Sequence, residues 1–500
     1  MILVVFLLAL IIRFLFFPNN IYFGFDQARD AFETLEIIRG NLKLIGPSTS
    51  FEGLFHGVAY YYLIVPSYLL SASPEVTVAF LRILNALGVF VIYILGSVLF
   101  NKKVGLIASI LFTFSFEQSQ FAIYMGNPSP AAVSVPLLFL GLALVIFKNK
   151  AWGLPLAFFC LGLSIQFQFA LFYLVVPFFL VLLTFKKDFL KLPIKFHLAS
   201  LLMLFLSIST FLLAELKYGF KTTSGLLSLA SAGNEKDILT IISTYLFTVD
   251  KMLSFNIFGE LKIGLIVGTI SFTLLVWHFK SGSFRKQVTF LSIWFFSLIV
   301  TVLVSGGVKD LQNNIPLYYP NVGVSVSLLL FVAFLVSQYK RIGIIILLVI
   351  FVVNINMIFK FNPKGTISEI DVQQGMLLGD EKKVLDYLYQ DAAGNPFAVK
   401  AITMPFTINT TWSYLFEWYG KDKYGYLPIW NGKNAAGFPG NIIVQEVQER
   451  LPNYRYLIIE PTRGVAPHLI NEYIQEENYF TRIVEERNIG EFVIQKREKY

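Results

Sequence analysis

Residues 22–62 read YFGFDQARDAFETLEIIRGNLKLIGPSTSFEGLFHGVAYYY, and they lie between a short apolar N-terminal run and a long series of further apolar runs. No other stretch among those runs has a comparable density of charge. It predicts one helix, with Asp26 capping its start and Gly40 as a stop, followed by a loop. Spacing at i, i+3, i+4 and i+7 gives this helix a polar face, which we interpret as an active site, and an apolar face. The polar face holds Asp26, Arg29, Asp30 and Glu33, and the apolar face holds Phe25, Ala28, Phe32 and Leu35.

The composition is that of a membrane protein. Hydrophobic residues make up 56% of the 500 residues, and apolar runs of roughly 17 to 25 residues recur, the length that spans a bilayer core. The net charge of +8 does not indicate a nucleic-acid partner, because 24 of the 40 Lys and Arg residues precede Lys360, mostly in a few short loops, against 14 of the 32 Asp and Glu residues. Such an excess is typical of cytoplasmic loops. The single cysteine, Cys160, lies in an apolar run and indicates no disulfide, thiol or metal site.

The alternation of apolar runs and basic loops predicts an α-helical polytopic protein with about 11 spans. The predicted location is the cell (inner) membrane, with multi-pass insertion and a cytoplasmic N-terminus, so that residues 22–62 face outward. The predicted spans are Met1–Phe17, Phe80–Phe100, Val104–Gln120, Ala131–Phe147, two within Ala151–Phe185, His197–Leu213, Leu261–Phe279, Val288–Val304, Leu317–Val336 and Ile342–Phe359.

Two apolar stretches need separate interpretation. Val58–Ala72 is short, and a crossing there would move the basic turn at 101–103 to the outside, so we predict a surface-lying or re-entrant segment. Ala151–Phe185 has basic clusters at both ends. Because two ends on one side require an even number of crossings, we predict a hairpin of two short spans, with Gln166 and Gln168 near its turn.

Residues 361–500 are charged, with ordinary alternation, and predict a small α/β domain on the outer face, separate from a multi-span catalytic domain at 1–360 whose active site lies in the outer loop 18–57. No Walker loop, dinucleotide glycine pattern, zinc spacing or nucleophile elbow is present in the sequence. The predicted elements are helices near Asp380–Gln390, Thr410–Tyr419 and Pro467–Glu477, strands near Phe397–Ile402 and Tyr456–Ile459, and a hairpin over Phe480–Gln495.

An acidic residue after the first span, the helix sequence Asp26-Gln-Ala-Arg-Asp30, and His56-Gly followed by Tyr60-Tyr61-Tyr62 together resemble the GT-C superfamily of polyprenyl-phosphate-dependent membrane glycosyltransferases. The similar members are the protein O-mannosyltransferases and the aminoarabinose transferase of lipid A. Arg82 in FLRILNALG and the following LFNKKVGLIASILF resemble their next span, loop and span. The resemblance covers roughly residues 1–150 in detail and the remainder in layout.

The resemblance implies a glycosyltransferase that moves a sugar from a polyprenyl-phosphate donor to an acceptor hydroxyl on the outer or periplasmic face, with inversion. Asp26 matches the family's catalytic acid and would be the general base. Arg29, Arg82, His56 and Arg13 are candidates for the lipid phosphate, which guanidinium groups bind bidentately. The implied partners are the lipid-linked sugar donor, a lipid, glycan or protein acceptor, and membrane lipid.

The next outer loop departs from the family pattern, which has a second acidic residue there. Glu117 comes early in this loop, and Asn127 lies where that residue would fall. An Asn side chain can bind a hydroxyl but cannot act as a base. We therefore expect a reaction without metal or other cofactor that depends on Asp26, with Glu117 and Asp30 as the alternative bases.

Each candidate residue also has a structural interpretation. Asp26 could be only a helix cap, Arg29 could pair with Asp30 or Glu33, and Arg13 and Arg82 could extend toward the membrane surface. His56 could be an ordinary loop histidine, and the three tyrosines at 60–62 could be an interfacial aromatic belt.

Two other functions remain open from the sequence alone. The charges near an outer cavity would also suit a transporter or flippase of a lipid-linked sugar, although the sequence has no internal repeat. An envelope glycan polymerase with a lipid-diphosphate donor is the second alternative, and the chemistry of the donor separates it from the transferase.

Overall fold

The computed structural model describes residues 1–49, 54–225, 238–259, 282, 284–305, 318–370, 374–432, 437–461 and 465–500. Twenty α-helices lie within these ranges. The first eleven are α1 (Ile2–Phe14), α2 (Phe25–Ile38), α3 (Ala59–Leu70), α4 (Pro74–Leu99), α5 (Lys102–Phe114), α6 (Phe116–Ile123), α7 (Ala131–Lys148), α8 (Gly153–Phe167), α9 (Val175–Thr184), α10 (Lys186–Leu190) and α11 (Ile194–Tyr218). The others are α12 (Ile238–Leu253), α13 (Arg285–Phe295), α14 (Leu298–Ser305), α15 (Ser325–Gln338), α16 (Lys340–Phe361), α17 (Leu378–Ala392), α18 (Thr410–Leu415), α19 (Lys421–Tyr424) and α20 (Pro467–Phe480).

The apolar helices make this a multi-pass membrane protein. In the described ranges, 6 helices are long and apolar enough to cross a membrane, and the bent pair α5–α6 makes up to 7. Four shorter apolar helical segments, among them α1, α8 and α15, join them. The prediction of about 11 spans stays a prediction, and the predicted span Leu261–Phe279 lies outside the described residues. Helix α3 has 12 residues, and its predicted surface-lying or re-entrant placement stays a prediction.

The predicted span Val104–Gln120 is broken rather than continuous. Helices α5 and α6 meet at a bend of 56°, and Ser115 begins α6 by accepting a hydrogen bond from the Gln118 N–H. The Arg13 guanidinium donates to the carbonyls of Phe112 and Thr113 in the last turn of α5. Polar backbone groups released by the break are therefore bonded inside the protein, as an apolar environment requires.

The turn predicted within Ala151–Phe185 is present as a helix break, and the predicted two short spans on either side of it stay a prediction. Helix α8 ends at Phe167, a 3-10 helix covers Phe169–Leu174, and α9 follows directly. Gln168, predicted near the turn, is the extended residue at which α8 ends. This break lies beside the site described below.

The C-terminal part folds as an α/β domain with six strands, β1 (Phe397–Ile402), β2 (Ile429–Asn431), β3 (Ile443–Gln445), β4 (Tyr454–Ile459), β5 (Thr481–Ile489) and β6 (Phe492–Lys499). The strand order is β3-β2-β1-β4-β6-β5. Strands β3, β2, β1 and β4 are parallel, whereas β6 pairs antiparallel with β4 and β5. The predicted strands and hairpin are confirmed, and β2 and β3 are additions. The predicted helix Thr410–Tyr419 is α18 followed by a π-helical turn, Phe416–Gly420.

This domain contacts the beginning of the chain. Tyr22 and Leu377 form an antiparallel bridge, and the Phe23 N–H donates to the Met376 carbonyl at 2.9 Å. Tyr414 of α18 packs edge-on against Phe32 of α2 with ring centroids 5.2 Å apart. Helix α2 is therefore held between the membrane part and the α/β domain.

Candidate active site

The predicted polar helix is present as α2, but it begins differently. Gly24 is the N-cap, and its N–H donates to Oε1 of Gln27 at 3.0 Å. Asp26 is therefore inside the first helical turn and not the cap, which corrects the prediction. The amide of Gln27 donates to the Met125 carbonyl at 2.7 Å and so ties α2 to the loop between α6 and α7. The predicted stop at Gly40 is confirmed by a helix end at Ile38 and a φ of +96° at Gly40.

Arg29 joins the two carboxylates of α2. Its Nη1 donates to Asp26 at 2.6 Å, while Nε and Nη2 donate to Asp30 at 2.9 and 2.7 Å. The side chain of Asp26 is 55% exposed and that of Asp30 is 1% exposed, so the predicted common polar face divides into a solvent-facing and a buried carboxylate. Three of the five guanidinium N–H groups are thus bonded, and the Tyr61 hydroxyl lies beside the same group. Asp26 is therefore the solvent-accessible carboxylate of this pair.

A cavity of about 390 Å³ opens along this helix. Arg29, Lys43 and Lys217 give it three cationic side chains, and Glu33 gives it one carboxylate, which pairs with Lys43. Aromatic side chains at 25, 55, 61 and 438 form part of the remaining lining. Arg29 also pairs with Asp26 and Asp30 outside the lining, so the three cations of the cavity are matched by three carboxylates. N–H donors of these cations and the aromatic walls suit a ligand that has both hydrogen-bond acceptors and apolar surface.

Of the seven predicted site residues, Asp26, Arg29 and Asp30 come together on α2, and of these three Arg29 is the one that lines the cavity. His56 is instead a docking residue, because its Nδ1 accepts a hydrogen bond from the Phe169 N–H at 3.0 Å. Burial and the nearby Arg29 charge lower the pKa of His56 to about 4, so the ring is neutral at pH 7. Gly57 packs so closely on α8 that a Cβ there would approach Gln166 Oε1 to 2.0 Å. The His-Gly pair therefore fixes the loop to the α8 break, and its predicted role in binding phosphate is not supported.

Arg82 lies away from the cavity and is fully buried. Its guanidinium donates to the Arg13 carbonyl at 2.9 Å and to Asn20 Oδ1 at 2.8 Å, and it lies over the Phe17 ring at 5.0 Å. These contacts hold the turn between α1 and α2. Arg13 is buried as well and does not extend toward the membrane surface. Both arginines are structural in this geometry, which corrects their prediction as phosphate ligands.

Glu117 and Asn127 are also engaged elsewhere. Glu117 is buried in α6 and accepts hydrogen bonds from Ser325 at 2.7 Å and from Tyr318 at 2.9 Å. Asn127 donates to the Phe167 carbonyl at 2.7 Å and to Gln168 at 2.9 Å, which closes the C-terminal end of α8. Neither side chain lines the cavity, so their predicted role in substrate binding is revised to one in helix connections.

Sequence reasoning missed Lys217 and Phe438 as cavity residues. Lys217 lies in the last turn of α11, two residues after Glu215, where charged residues follow the predicted apolar span His197–Leu213. Phe438 lies between glycines and proline in the sequence Gly437-Phe-Pro-Gly440, which indicates a turn. The local sequence therefore indicates a helix end near Lys217 and a turn at Phe438. It does not indicate that either residue lies beside Arg29.

Asp30 gives this site a pH dependence that can be measured as stability. Burial raises the pKa of Asp30 to about 7, although the Arg29 charge opposes the shift, with Asp26 and Glu33 adding to it. Because the folded pKa lies above the unfolded one, the stabilising contribution is complete at low pH and is lost as the pH rises toward 7. The free energy of unfolding of the wild type should therefore fall with pH between pH 5 and 7. We expect Asp30→Asn to reduce that fall by up to about 1.4 kcal/mol per pH unit.

Thermal unfolding of the detergent-solubilised protein at several pH values measures that slope. Glu36→Gln is the control, since it removes a carboxylate from the exposed side of the same helix and should leave the slope near that of the wild type. Equal slopes in wild type and Asp30→Asn would mean that Asp30 is not the buried titrating group.

This chain is similar to known proteins in its three-dimensional structure. No protein-family model and no curated protein sequence matches the chain. ArnT from Cupriavidus metallidurans bound to undecaprenyl phosphate matches with a TM-score of 0.64 and 10% identity, and it covers 99% of this chain and 97% of its own. ArnT in the apo state matches with a TM-score of 0.63 and 11% identity over the same shares. The archaeal oligosaccharyltransferase AglB from Archaeoglobus fulgidus has a TM-score of 0.47 at 14% identity, over 92% and 69% of the two chains. The chain has the GT-C fold of the ArnT structures, as its sequence predicts.

Proposed function

We propose that this protein is an inverting membrane glycosyltransferase that moves a sugar from a polyprenyl-phosphate donor to an acceptor hydroxyl on the outer face of the cell (inner) membrane. The observation that supports this most is an exposed carboxylate, Asp26, bonded to an arginine that lines the cavity. The GT-C fold, which one ArnT structure presents with undecaprenyl phosphate bound, agrees with it. The acceptor would be a lipid, a glycan or a protein.

The cations of the cavity suit the leaving group. Arg29, Lys43 and Lys217 together would neutralise the lipid phosphate on which charge develops as the sugar departs. Arg29 still has N–H groups not bonded to its two carboxylates, and a guanidinium is well shaped for phosphate oxygens. Because Arg29 is also bonded to Asp26, one side chain would set the spacing between base and leaving group.

The chemical step follows from these positions. The acceptor oxygen attacks the anomeric carbon on the side opposite the phosphate, and its proton passes to the Asp26 carboxylate. The bond between the anomeric carbon and the phosphate oxygen breaks, and its electron pair stays on the phosphate. The transition state resembles the oxocarbenium ion of other glycosyl transfers. Asp30 is buried and would position Arg29 instead of acting as the base.

The same proposal gives a domain assignment. Residues 1–360 would form the catalytic membrane domain, and 361–500 an extracytoplasmic domain that supports α2. A cytoplasmic N-terminus and short basic loops would then lie opposite the site. Independence of metal ions stays a prediction.

Transfer assays with a panel of labelled donors test this function. We expect the membrane-embedded protein to transfer label from at least one polyprenyl-monophosphate monosaccharide and to release polyprenyl phosphate. Transfer only from a diphosphate-linked oligosaccharide would instead identify a glycan polymerase. Movement of the intact lipid across the bilayer without sugar transfer would identify a transporter.

A further inference from the structure

One wall of the cavity comes from the α/β domain. Gly437, Phe438 and Pro439 line it together with α2 and the end of α11. The Phe438 side chain is 45% exposed, although burying a phenylalanine is worth about 1.5 to 3 kcal/mol. A large apolar ring directed into this cavity is not explained by the packing of the domain core.

The backbone holds Phe438 in this position. Gly437 and Gly440 have φ values of +90° and +159°, conformations that favour glycine. The Pro439 carbonyl accepts a hydrogen bond from Thr410 Oγ1 at 2.8 Å, and the Asn441 N–H donates to Glu417 at 3.0 Å. The turn is thus fastened to the helical segment 410–420, which itself packs on α2, so the ring has a fixed place relative to the active-site helix.

Phe438 is connected through Phe25 to Arg29, the residue proposed to bind the phosphate. Its ring lies 5.6 Å from that of Phe25, at an interplanar angle of 68°, so the two rings form a corner. The Arg29 guanidinium lies over the Phe25 ring, 5.5 Å from the centroid of that ring. A group attached to a phosphate at Arg29 would therefore lie beside Phe25, with Phe438 as the adjacent ring in the lining of the same cavity.

We propose that Phe438, together with Phe25, binds the sugar of the donor. The proposal rests on the proposed function and adds the residues that contact the transferred group. Hexose and pentose rings present C–H groups on their faces, and these hydrogens are attracted to the negative face of an aromatic ring. The polyprenyl chain has to lie among the apolar helices, whereas Phe438 belongs to the charged α/β domain. The sugar is therefore the part of the donor that reaches it.

Kinetics of donors with and without sugar test this assignment. We expect Phe438→Ala to raise the donor KM by about tenfold, the upper range for one aromatic contact. Inhibition by sugar-free polyprenyl phosphate should stay within about twofold. Phe438→Trp should keep a KM close to that of the wild type, whereas Phe438→Leu should resemble Ala because it lacks a ring. Tyr479→Ala removes an aromatic side chain that is 81% exposed on the same domain and is the control.

Three results would contradict the proposal in distinguishable ways. A wild-type donor KM in Phe438→Ala would overturn the sugar contact alone. An equal loss in donor KM and in inhibition by polyprenyl phosphate would assign Phe438 to the phosphate or to folding, and so would also overturn it. Absence of transfer by the wild-type protein from every donor would overturn the proposed function, and this inference with it.

Discussion

Replacing Asp26 by Asn is expected to slow sugar transfer by about 10²- to 10⁴-fold, the range for loss of a positioned base. Asn keeps the shape of the side chain and removes its ability to accept the proton. The fold should be unaffected because Asp26 is 55% exposed and is not the N-cap of α2. Donor binding should change little because Arg29 keeps both of its bonds to Asp30. Initial transfer rates and binding of polyprenyl phosphate, measured on the same preparation, separate the two effects.

Glu36→Gln is the matched control for this variant. Glu36 lies on the same helix and pairs with Arg39 at the surface, so its loss should leave the transfer rate within about twofold. A wild-type rate in Asp26→Asn would show that another group takes the proton, and Asp30 would be the next candidate. Loss of donor binding together with rate would instead mean that Asp26 acts through Arg29.

The second large effect concerns stability. Arg13→Met is expected to lower the free energy of unfolding by about 3 kcal/mol, or about 1 kcal/mol for each of the hydrogen-bond acceptors that lose their donor. The substitution leaves the Phe112 and Thr113 carbonyls and the Asn85 side chain without the three hydrogen bonds that Arg13 now donates. All of these groups lie in a buried region where α1, α4 and α5 meet. Arg13→Lys should recover only part of the loss, since one ammonium group cannot reproduce a planar fork of donors.

Thermal unfolding in detergent measures this loss. Arg39→Met is the control, because Arg39 is an arginine with a side chain 62% exposed and paired at the surface, where such pairs contribute about 0 to 1 kcal/mol. If Arg13→Met unfolds like the wild type but binds polyprenyl phosphate more weakly, Arg13 would belong to the donor site after all.

Much of the fold was predictable because its signals are local. The apolar runs, the basic loops between them and the short, mostly apolar segment Phe397–Ile402 predicted many of the elements close to their observed positions. Strands β2 and β3 were not predicted, since each has three residues and depends on parallel partners distant in sequence. The break between α5 and α6 was also missed, because an apolar run looks the same whether it is straight or bent.

The candidate site was predictable only in part. The order of Asp26, Arg29 and Asp30 along one helix was sufficient to bring them together. An arginine at the end of an apolar run, in contrast, has the same pattern whether it reaches the membrane surface or bonds inside, so Arg13 and Arg82 were misassigned. Lys217 and Phe438 come from distant parts of the chain, and only tertiary packing brings them to α2.

The bridge between Tyr22 and Leu377 has a consequence for the biogenesis of the protein. A ribosome synthesises the helix that contains Asp26 early, and the segment around Leu377 that pairs with the start of this helix much later. The entrance to α2 therefore gains this contact only once the segment around Leu377 has been synthesised and has folded against it.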